Sequence, residues 1–106
     1  MEADWQKFSA MIPMLHERYL AERNARITRK LTDPIKTETE RFWNAFEEIE
    51  KEAKIVRRCL DDYSRSKMWL SMITMRAAGM LKKEDFAGFS EQLQKDVLDD
   101  PFEKRG

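Results

Sequence analysis

The sequence predicts an all-α protein folded as a helical bundle. The chain of 106 residues has three glycines and three prolines, so few positions favour a tight turn. Charged residues make up 38% of the chain and hydrophobic residues 42%, a balance that suits amphipathic helices with a solvated outer face. A third observation is a heptad repeat of apolar positions in the middle of the chain. Together these observations predict a single domain, residues 1–106, with three helical regions.

The central region, residues 33–81, determines the rest of the predicted architecture. Asp33 is expected at the N-cap and Pro34 at the first helical position, where a proline loses no hydrogen bond. Because residues 61–66 contain few strong helix formers, a break there is an open alternative. The constant phase of the apolar positions favours one long helix, from Pro34 to about Ala78, that pairs with a partner helix. The positions follow one another in steps of four and three: Ile35, Thr39, Phe42, Phe46, Ile49, Ala53, Val56, Leu60, Tyr63, Lys67, Leu70, Thr74, Ala77 and Leu81.

The N-terminal region, residues 1–31, is predicted to be a kinked helix. Pro13 lies inside the pattern, and an interior proline removes a backbone hydrogen bond. Two helices, 2–11 and 13–31, would explain the pattern equally well. The region is expected to fold back antiparallel on the central helix through the short Thr32-Asp33 turn. Its apolar side chains form two stripes on different faces: Trp5, Phe8, Ile12, Leu15 and Tyr19, then Leu20, Ile27 and Leu31.

A short C-terminal helix is predicted over residues 83–98. Gly79 is expected to end the central helix in the left-handed conformation, with Met80 and Leu81 folding back against it. Pro101 favours a stop, and residues 99–106 are expected to form a frayed tail. The predicted buried face of the C-terminal helix consists of Phe86, Phe89, Leu93 and Val97.

Residues 68–80 are apolar on nearly every side, which predicts burial at the centre of the fold or of an oligomer. The other helices offer limited apolar surface to cover this stretch, and methionine side chains adapt to varied partners. We therefore expect a homodimer built on the central helix. The expected protein interface consists of Met68, Trp69, Met72 and Met75.

A basic sector lies on the second half of the N-terminal helix. Lys plus Arg equals Asp plus Glu, 20 each, so no global field draws the chain toward nucleic acid. The favoured interpretation is ion pairing with the acidic half-helix, residues 38–52, if the two helices pack antiparallel. The alternative is contact with nucleic-acid phosphates or an acidic partner. The sector consists of Arg18, Arg23, Arg26, Arg29 and Lys30.

Few residues are candidates for catalysis or metal binding. His16 is the sole histidine and has no nucleophile or orienting carboxylate at a suitable spacing, so a part-buried structural histidine is expected. Glu47 and Glu50 have a spacing that can share a hard cation, but no second acidic pair follows, so a solvated face is expected. Cys59 is expected to be a packed thiol despite the neighbouring arginines.

These observations favour a small, non-enzymatic protein-interaction module, an adaptor, regulator or inhibitor that acts as a homodimer through its helical surface. The alternative function is a small nucleic-acid-binding regulator that uses Arg18–Lys30. No cofactor is expected. No segment approaches the roughly 20 apolar residues of a membrane span, and Met-Glu-Ala-Asp does not resemble a signal peptide. With one cysteine and therefore no internal disulfide, a cytoplasmic location is expected.

Overall fold

The computed structural model describes residues 2–61 and 63–98, and it confirms the predicted all-α class. Within these residues the regular structure is helical, and the described part of the chain extends over 52 × 28 × 20 Å. A π-helical segment, Arg57–Asp61, follows the second helix, and 3₁₀ turns occupy Arg65–Lys67 and Lys83–Phe86. The α-helices of the described residues are α1 (Glu2–Leu31), α2 (Glu38–Val56), α3 (Met68–Ala77) and α4 (Glu91–Leu98).

The N-terminal region forms one helix rather than two. α1 runs for 30 residues with Pro13 inside it. Acidic side chains, Glu2 and Asp4, lie in its first turn and basic ones in its last, as the helix dipole favours. The predicted first stripe faces inward, with these side chains buried: Phe8, Ile12, Leu15 and Tyr19.

The predicted start of the central helix at Asp33 and Pro34 is wrong, because α2 begins at Glu38. Thr37 is the N-cap and forms a capping box with Glu40. The Thr37 hydroxyl accepts from the Glu40 amide at 3.1 Å, and the Glu40 carboxylate accepts from the Thr37 amide at 2.9 Å. Asp33 instead accepts from the Ile35 amide at 3.1 Å, so its carboxylate stabilises the turn that precedes the helix.

The prediction of a single helix over residues 33–81 is also wrong, because the helix is interrupted between α2 and α3. Helical hydrogen bonding loosens to the π pattern after Val56, and Ser64 is extended with φ −154° and ψ 165°. The break brings the Tyr63 ring to 6.1 Å from the rings of both Trp5 and Phe8. This tertiary packing, together with the weak helix formers of residues 61–66, outweighs the constant phase of the heptad pattern.

Most of the apolar core lies at one end of the molecule. We call this end the head, formed by residues 2–19, 57–61 and 63–98; residues 20–56, the rest of α1 and α2 with the turn between them, form the arm. The break before α3 lets the methionine-rich helix fold back onto α1. The core cluster consists of Phe8, Ile12, Leu15, Tyr19, Cys59, Leu60, Met68, Met72, Met75, Met80, Leu81, Phe86, Phe89, Leu93 and Val97.

The predicted end of the Met-rich helix at Gly79 is confirmed. Gly79 has φ +81°, in the region that glycine adopts without steric cost. The Met80 amide donates to the Met75 carbonyl at 2.9 Å and the Gly79 amide to the Arg76 carbonyl at 3.1 Å. These are the two hydrogen bonds of a Schellman motif, and they turn the chain back toward α1.

The C-terminal helix is shorter than predicted, because residues 83–98 divide into a 3₁₀ turn and α4. The Ser90 hydroxyl accepts from the Leu93 amide at 3.3 Å and so caps α4. The predicted face of this region is buried, at Phe86, Phe89, Leu93 and Val97. The predicted tail, residues 99–106, lies outside the described residues. Among the described helices, none combines the length and the apolar character that a bilayer span requires.

Candidate protein-interaction site

The two helices of the arm are held together by charged side chains. Glu52 on α2 is buried and accepts from the Tyr19 hydroxyl at 2.9 Å. Arg23 Nε lies 2.5 Å from Glu52 Oε2 without hydrogen-bond alignment, so the contact is an ion pair. The Arg23 guanidinium also lies 4.3 Å from the centre of the Tyr19 ring, a cation–π contact. The three side chains fasten α2 to the middle of α1.

A second buried carboxylate lies nearer the turn. Glu48 is buried, and its carboxylate is 3.9 Å from the nearest nitrogens of both Arg26 and Lys30 on α1. Lys51, which lies on α2 like Glu48, is 3.7 Å from the same carboxylate. The predicted pairing with the acidic half-helix is therefore observed for Arg23, Arg26 and Lys30 of the basic sector.

Because carboxylates occupy the side of α2 that faces α1, the apolar residues of α2 point elsewhere. Buried Ala45, Glu48 and Glu52 define the inner side of α2. At about 100° per residue, Phe42, Phe46 and Ile49 lie roughly a quarter to a third of a turn away from it. The first half of the predicted heptad seam is thus exposed. We call the resulting surface the arm face: Leu31, Ile35, Phe42, Trp43, Phe46 and Ile49, each between 44% and 87% exposed.

The aromatic side chains of the arm face form a contiguous group. The Trp43 ring contacts Phe42 and Phe46 edge-on, with ring centres 5.0 and 5.7 Å apart. Edge-to-face pairs of this kind contribute about 0.5–1.5 kcal/mol beyond the burial of their area. A groove of about 310 Å³ between α1 and α2 continues this surface toward the head, and its apolar lining consists of Leu20, Ile27, Ile49, Ala53 and Val56.

The arm face exposes an apolar area at the upper end of what monomeric proteins expose. A large apolar side chain buries roughly 200 Å², so six of them at about half exposure present on the order of 600 Å². Specific interfaces bury about 800 Å² per partner, and apolar patches on monomers rarely exceed 300–600 Å². The arm face thus reaches the upper limit for a monomer surface, and together with the groove beside it approaches the area of a specific interface.

The interface predicted at Met68, Trp69, Met72 and Met75 is wrong for its three methionines. All three are buried in the head, with 0% exposure at Met72 and Met75. The break before α3 lets α1 and α4 cover them within one chain. Trp69 is exposed, and its indole nitrogen lies 3.4 Å from the Asp96 carbonyl, to which it donates.

Arg18 belongs to the head rather than to the arm. Its guanidinium donates to both Asp85 oxygens, at 3.0 and 2.6 Å, and to the Met80 carbonyl at 2.8 Å. Burial alone would raise the pKa of Asp85, but the Arg18 and Lys82 hydrogen bonds more than offset it, and the pKa lies below its usual value. Arg29 is exposed, and it makes no ion pair with the residues that the structure describes.

The residues considered for chemistry occupy ordinary structural positions. Cys59 is 1% exposed, and burial raises the pKa of its thiol despite the opposing effect of Arg58. It is a packed thiol, as predicted. His16 is partly buried, and Glu47 and Glu50 are exposed. Among residues 2–61 and 63–98 no group of three His, Cys, Asp or Glu side chains is placed to hold a metal ion.

Two polar contacts of the head were not predicted from the sequence. Arg18 reaches Asp85, and Asp4 accepts from the Ser90 amide at 3.0 Å and from its hydroxyl at 2.7 Å. Burial would raise the pKa of Asp4, yet these two hydrogen bonds lower it below its usual value. Ser90 carries an N-cap signal before an amphipathic segment, whereas nothing in the sequence near Asp4 indicates its distant partner.

No family model, no curated protein and no solved structure matches this chain.

Proposed function

We propose that the protein is a non-enzymatic protein-interaction module that works as a homodimer through the arm face. The observation that carries this proposal is the exposure of contiguous aromatic side chains on an arm whose inner side is already filled. Phe42, Trp43 and Phe46 are each between 44% and 57% exposed. Such a surface is stabilised when it is removed from water, since burial of apolar area is favourable. An adaptor, regulator or inhibitor would present the remaining helical surface to its target.

A second copy of the chain is the simplest partner for this surface. A helical hairpin with one open apolar face is half of a four-helix bundle, and a twofold dimer closes it with the same residues on both sides. The heptad spacing of Phe42, Phe46 and Ile49 is the spacing that helices in such bundles use. Coiled-coil packing between the two copies therefore belongs to the proposal.

The alternative, a nucleic-acid-binding regulator, has less support. Of the predicted contact residues, Arg18, Arg23, Arg26 and Lys30 are paired with carboxylates of the same chain. Phosphate contacts would compete with these ion pairs. Arg29 alone does not make a basic footprint.

The proposal is tested by the solution mass of the Phe46→Asp variant. Phe46 is 44% exposed, so an aspartate there stays hydrated in a single chain but places a charge inside the dimer. We expect wild-type chain to have twice the 12.7 kDa chain mass in light scattering, and the variant to have the single mass with unchanged helical circular dichroism.

Leu70→Asp is the matched control. Leu70 is 57% exposed but lies on α3 in the head, so this variant is expected to keep the dimer mass. A wild-type chain with the single mass at high concentration, or a Phe46→Asp variant with the dimer mass, contradicts the proposal. Added DNA or RNA is expected to leave the wild-type mass unchanged.

A further inference from the structure

We infer that the two copies pair in opposite directions, with α2 of one chain lying along α2 of its partner. The inference rests on the proposed homodimer and specifies its geometry. Two face-to-face twofold arrangements of a hairpin exist. With the arms in the same direction, α2 covers the partner's α1; with the arms opposed, α2 covers the partner's α2. The side-chain sizes along α2 distinguish the two.

Side-chain size changes along the apolar seam of α2. Near the turn the seam carries the rings of Phe42 and Phe46, with Trp43 beside them, and near the head it carries the smaller side chains of Ala53 and Val56. When the two copies run in opposite directions, the large end of each α2 lies over the small end of the other. Large side chains opposite small ones fill the space between helices without voids, as close-packed cores require.

The exposed charges of the same helix change sign along its length. Toward the turn they are acidic, apart from Arg41, which is paired with Glu38; toward the head and in the following π segment they are basic. Opposed copies place the acidic end of one α2 at the level of the basic end of the other, a long-range attraction only, because Glu40 and Lys51 lie on the side of α2 away from the arm face. The exposed acidic residues are Glu38, Glu40, Glu47 and Glu50, and the exposed basic residues are Lys51, Lys54, Arg57 and Arg58.

The same-direction arrangement lacks this complementarity of size. Its charges do not exclude it, because the acidic half of each α2 lies at the level of Arg26, Arg29 and Lys30 of the partner's α1. It places the aromatic ends of both arms together, however, at the level of Leu31, and leaves the groove between Leu20 and Val56 to be filled by equally small side chains. Opposed arms bury the whole arm face and fill both grooves.

Cysteine cross-linking measures the direction. Thr39 and Arg57 are exposed, and because they are 18 positions apart on the sequence they lie on the same side of α2, about 27 Å apart along its axis at about 1.5 Å per residue. We would prepare Thr39→Cys and Arg57→Cys, label one with heavy isotopes, mix them, and treat each variant and the mixture with a short bismaleimide. Cys59 is 1% exposed, so wild-type chain serves as the unreactive control.

Opposed arms predict a covalent dimer that joins one labelled and one unlabelled chain in the mixture. They predict no covalent dimer when either variant is treated alone. Arms in the same direction predict the reverse: Thr39→Cys links to itself and no mixed product forms. That second result overturns the direction and leaves the homodimer intact. A single-chain mass before cross-linking overturns the homodimer and the direction together, and a cross-link in wild-type chain would show that Cys59 is accessible, contrary to the structure.

Discussion

An ion pair between Arg18 and Asp85 joins α1 to the segment after Gly79, although the two residues are 67 positions apart in the sequence. Asp85 accepts two hydrogen bonds from Arg18 and one from the Lys82 amide, at 2.7 Å, so its carboxylate fastens the segment after Gly79 to α1. Asp85→Asn removes the charge and leaves the guanidinium without its ion pair. Hydrogen bonds to charged groups contribute about 1.5–3 kcal/mol each, so we expect the variant to lose about 2 kcal/mol of unfolding free energy in urea denaturation at neutral pH.

The pH dependence of this contact follows from the lowered pKa of Asp85. A carboxyl whose pKa is lower in the folded state stabilises the fold above its unfolded pKa, which is near the ordinary aspartate value of 3.8. That stabilisation is lost as the pH falls below this value through the folded pKa. The difference in unfolding free energy between wild type and Asp85→Asn should therefore shrink below about pH 4. Glu84→Gln, an exposed neighbour, is the control; an equal loss in that variant would contradict the assignment to Asp85.

Residue-scale features divide clearly into those the sequence predicts and those it does not. Gly79 is predictable because a glycine after an apolar helical run and before Met80-Leu81 is a local capping signal. The link from Asp4 to Ser90 is not predictable, because it depends on how α1 and α4 are placed in space. The packed state of Cys59 is predictable from its position beside apolar Leu60.

At the scale of the helices, α2 packs on α1 through buried carboxylates. Glu52 is the most constrained of them, since Tyr19 and Arg23 both contact it. Glu52→Gln keeps the shape and the Tyr19 contact but leaves the part-buried Arg23 without the counter-charge of Glu52. Breaking one side of a buried pair costs more than an exposed pair contributes, so we expect a loss of about 2–3 kcal/mol in denaturant unfolding.

Glu50→Gln is the matched control for that measurement. Glu50 lies on the same helix but is exposed, so its removal is expected to change the unfolding free energy by less than about 0.5 kcal/mol. If both glutamine variants unfold alike, the Glu52 pair does not hold the arm. Because Glu50 flanks the arm face, the comparison is made on the Phe46→Asp background, which removes any effect on the dimer.

The helix boundaries show where local reasoning ends. Residues 61–66 signal a break and the heptad phase signals continuity, and the favoured prediction, continuity, is wrong. What decides is the contact of Tyr63 with Trp5 and Phe8, which requires the break and is not local. The start of α2 is different: the capping box of Thr37 and Glu40 is a local signal, and it takes precedence over Asp33-Pro34.

The orientation of α2 is a further limit on prediction. The heptad pattern of Phe42, Phe46 and Ile49 indicates that a helix packs against them, but it does not identify the helix. Arg23, Arg26 and Lys30 of α1 form ion pairs with Glu48 and Glu52, so the carboxylate side of α2 packs against α1. Complementary charge thus determines the pairing within the chain, and the apolar side stays at the surface. The ion pairing of the basic sector was predicted; the exposure of the arm face was not.

The whole molecule combines two regions of unequal stability. The head contains nearly all of the apolar core, whereas the arm is held by ion pairs around Glu48 and Glu52. Local opening occurs where few apolar contacts are buried. We expect the amides of residues 38–47 to exchange with solvent deuterium faster than those of α3, and this difference to be larger in the Phe46→Asp variant than in wild type. Equal exchange in the two proteins would contradict protection of the arm by a second copy.

The methionines at the centre of the head have a chemical consequence. Met68, Met72, Met75 and Met80 are each at most 6% exposed, so an oxidant reaches their sulfur atoms only after the head opens. Oxidation would add a polar oxygen to each thioether, and the sulfoxide would then have to be buried where an apolar group had been. A chain that opens in an oxidising solution is therefore expected to refold poorly until a reductase restores the thioethers. The stability of the head thus depends on whether its methionines have been oxidised.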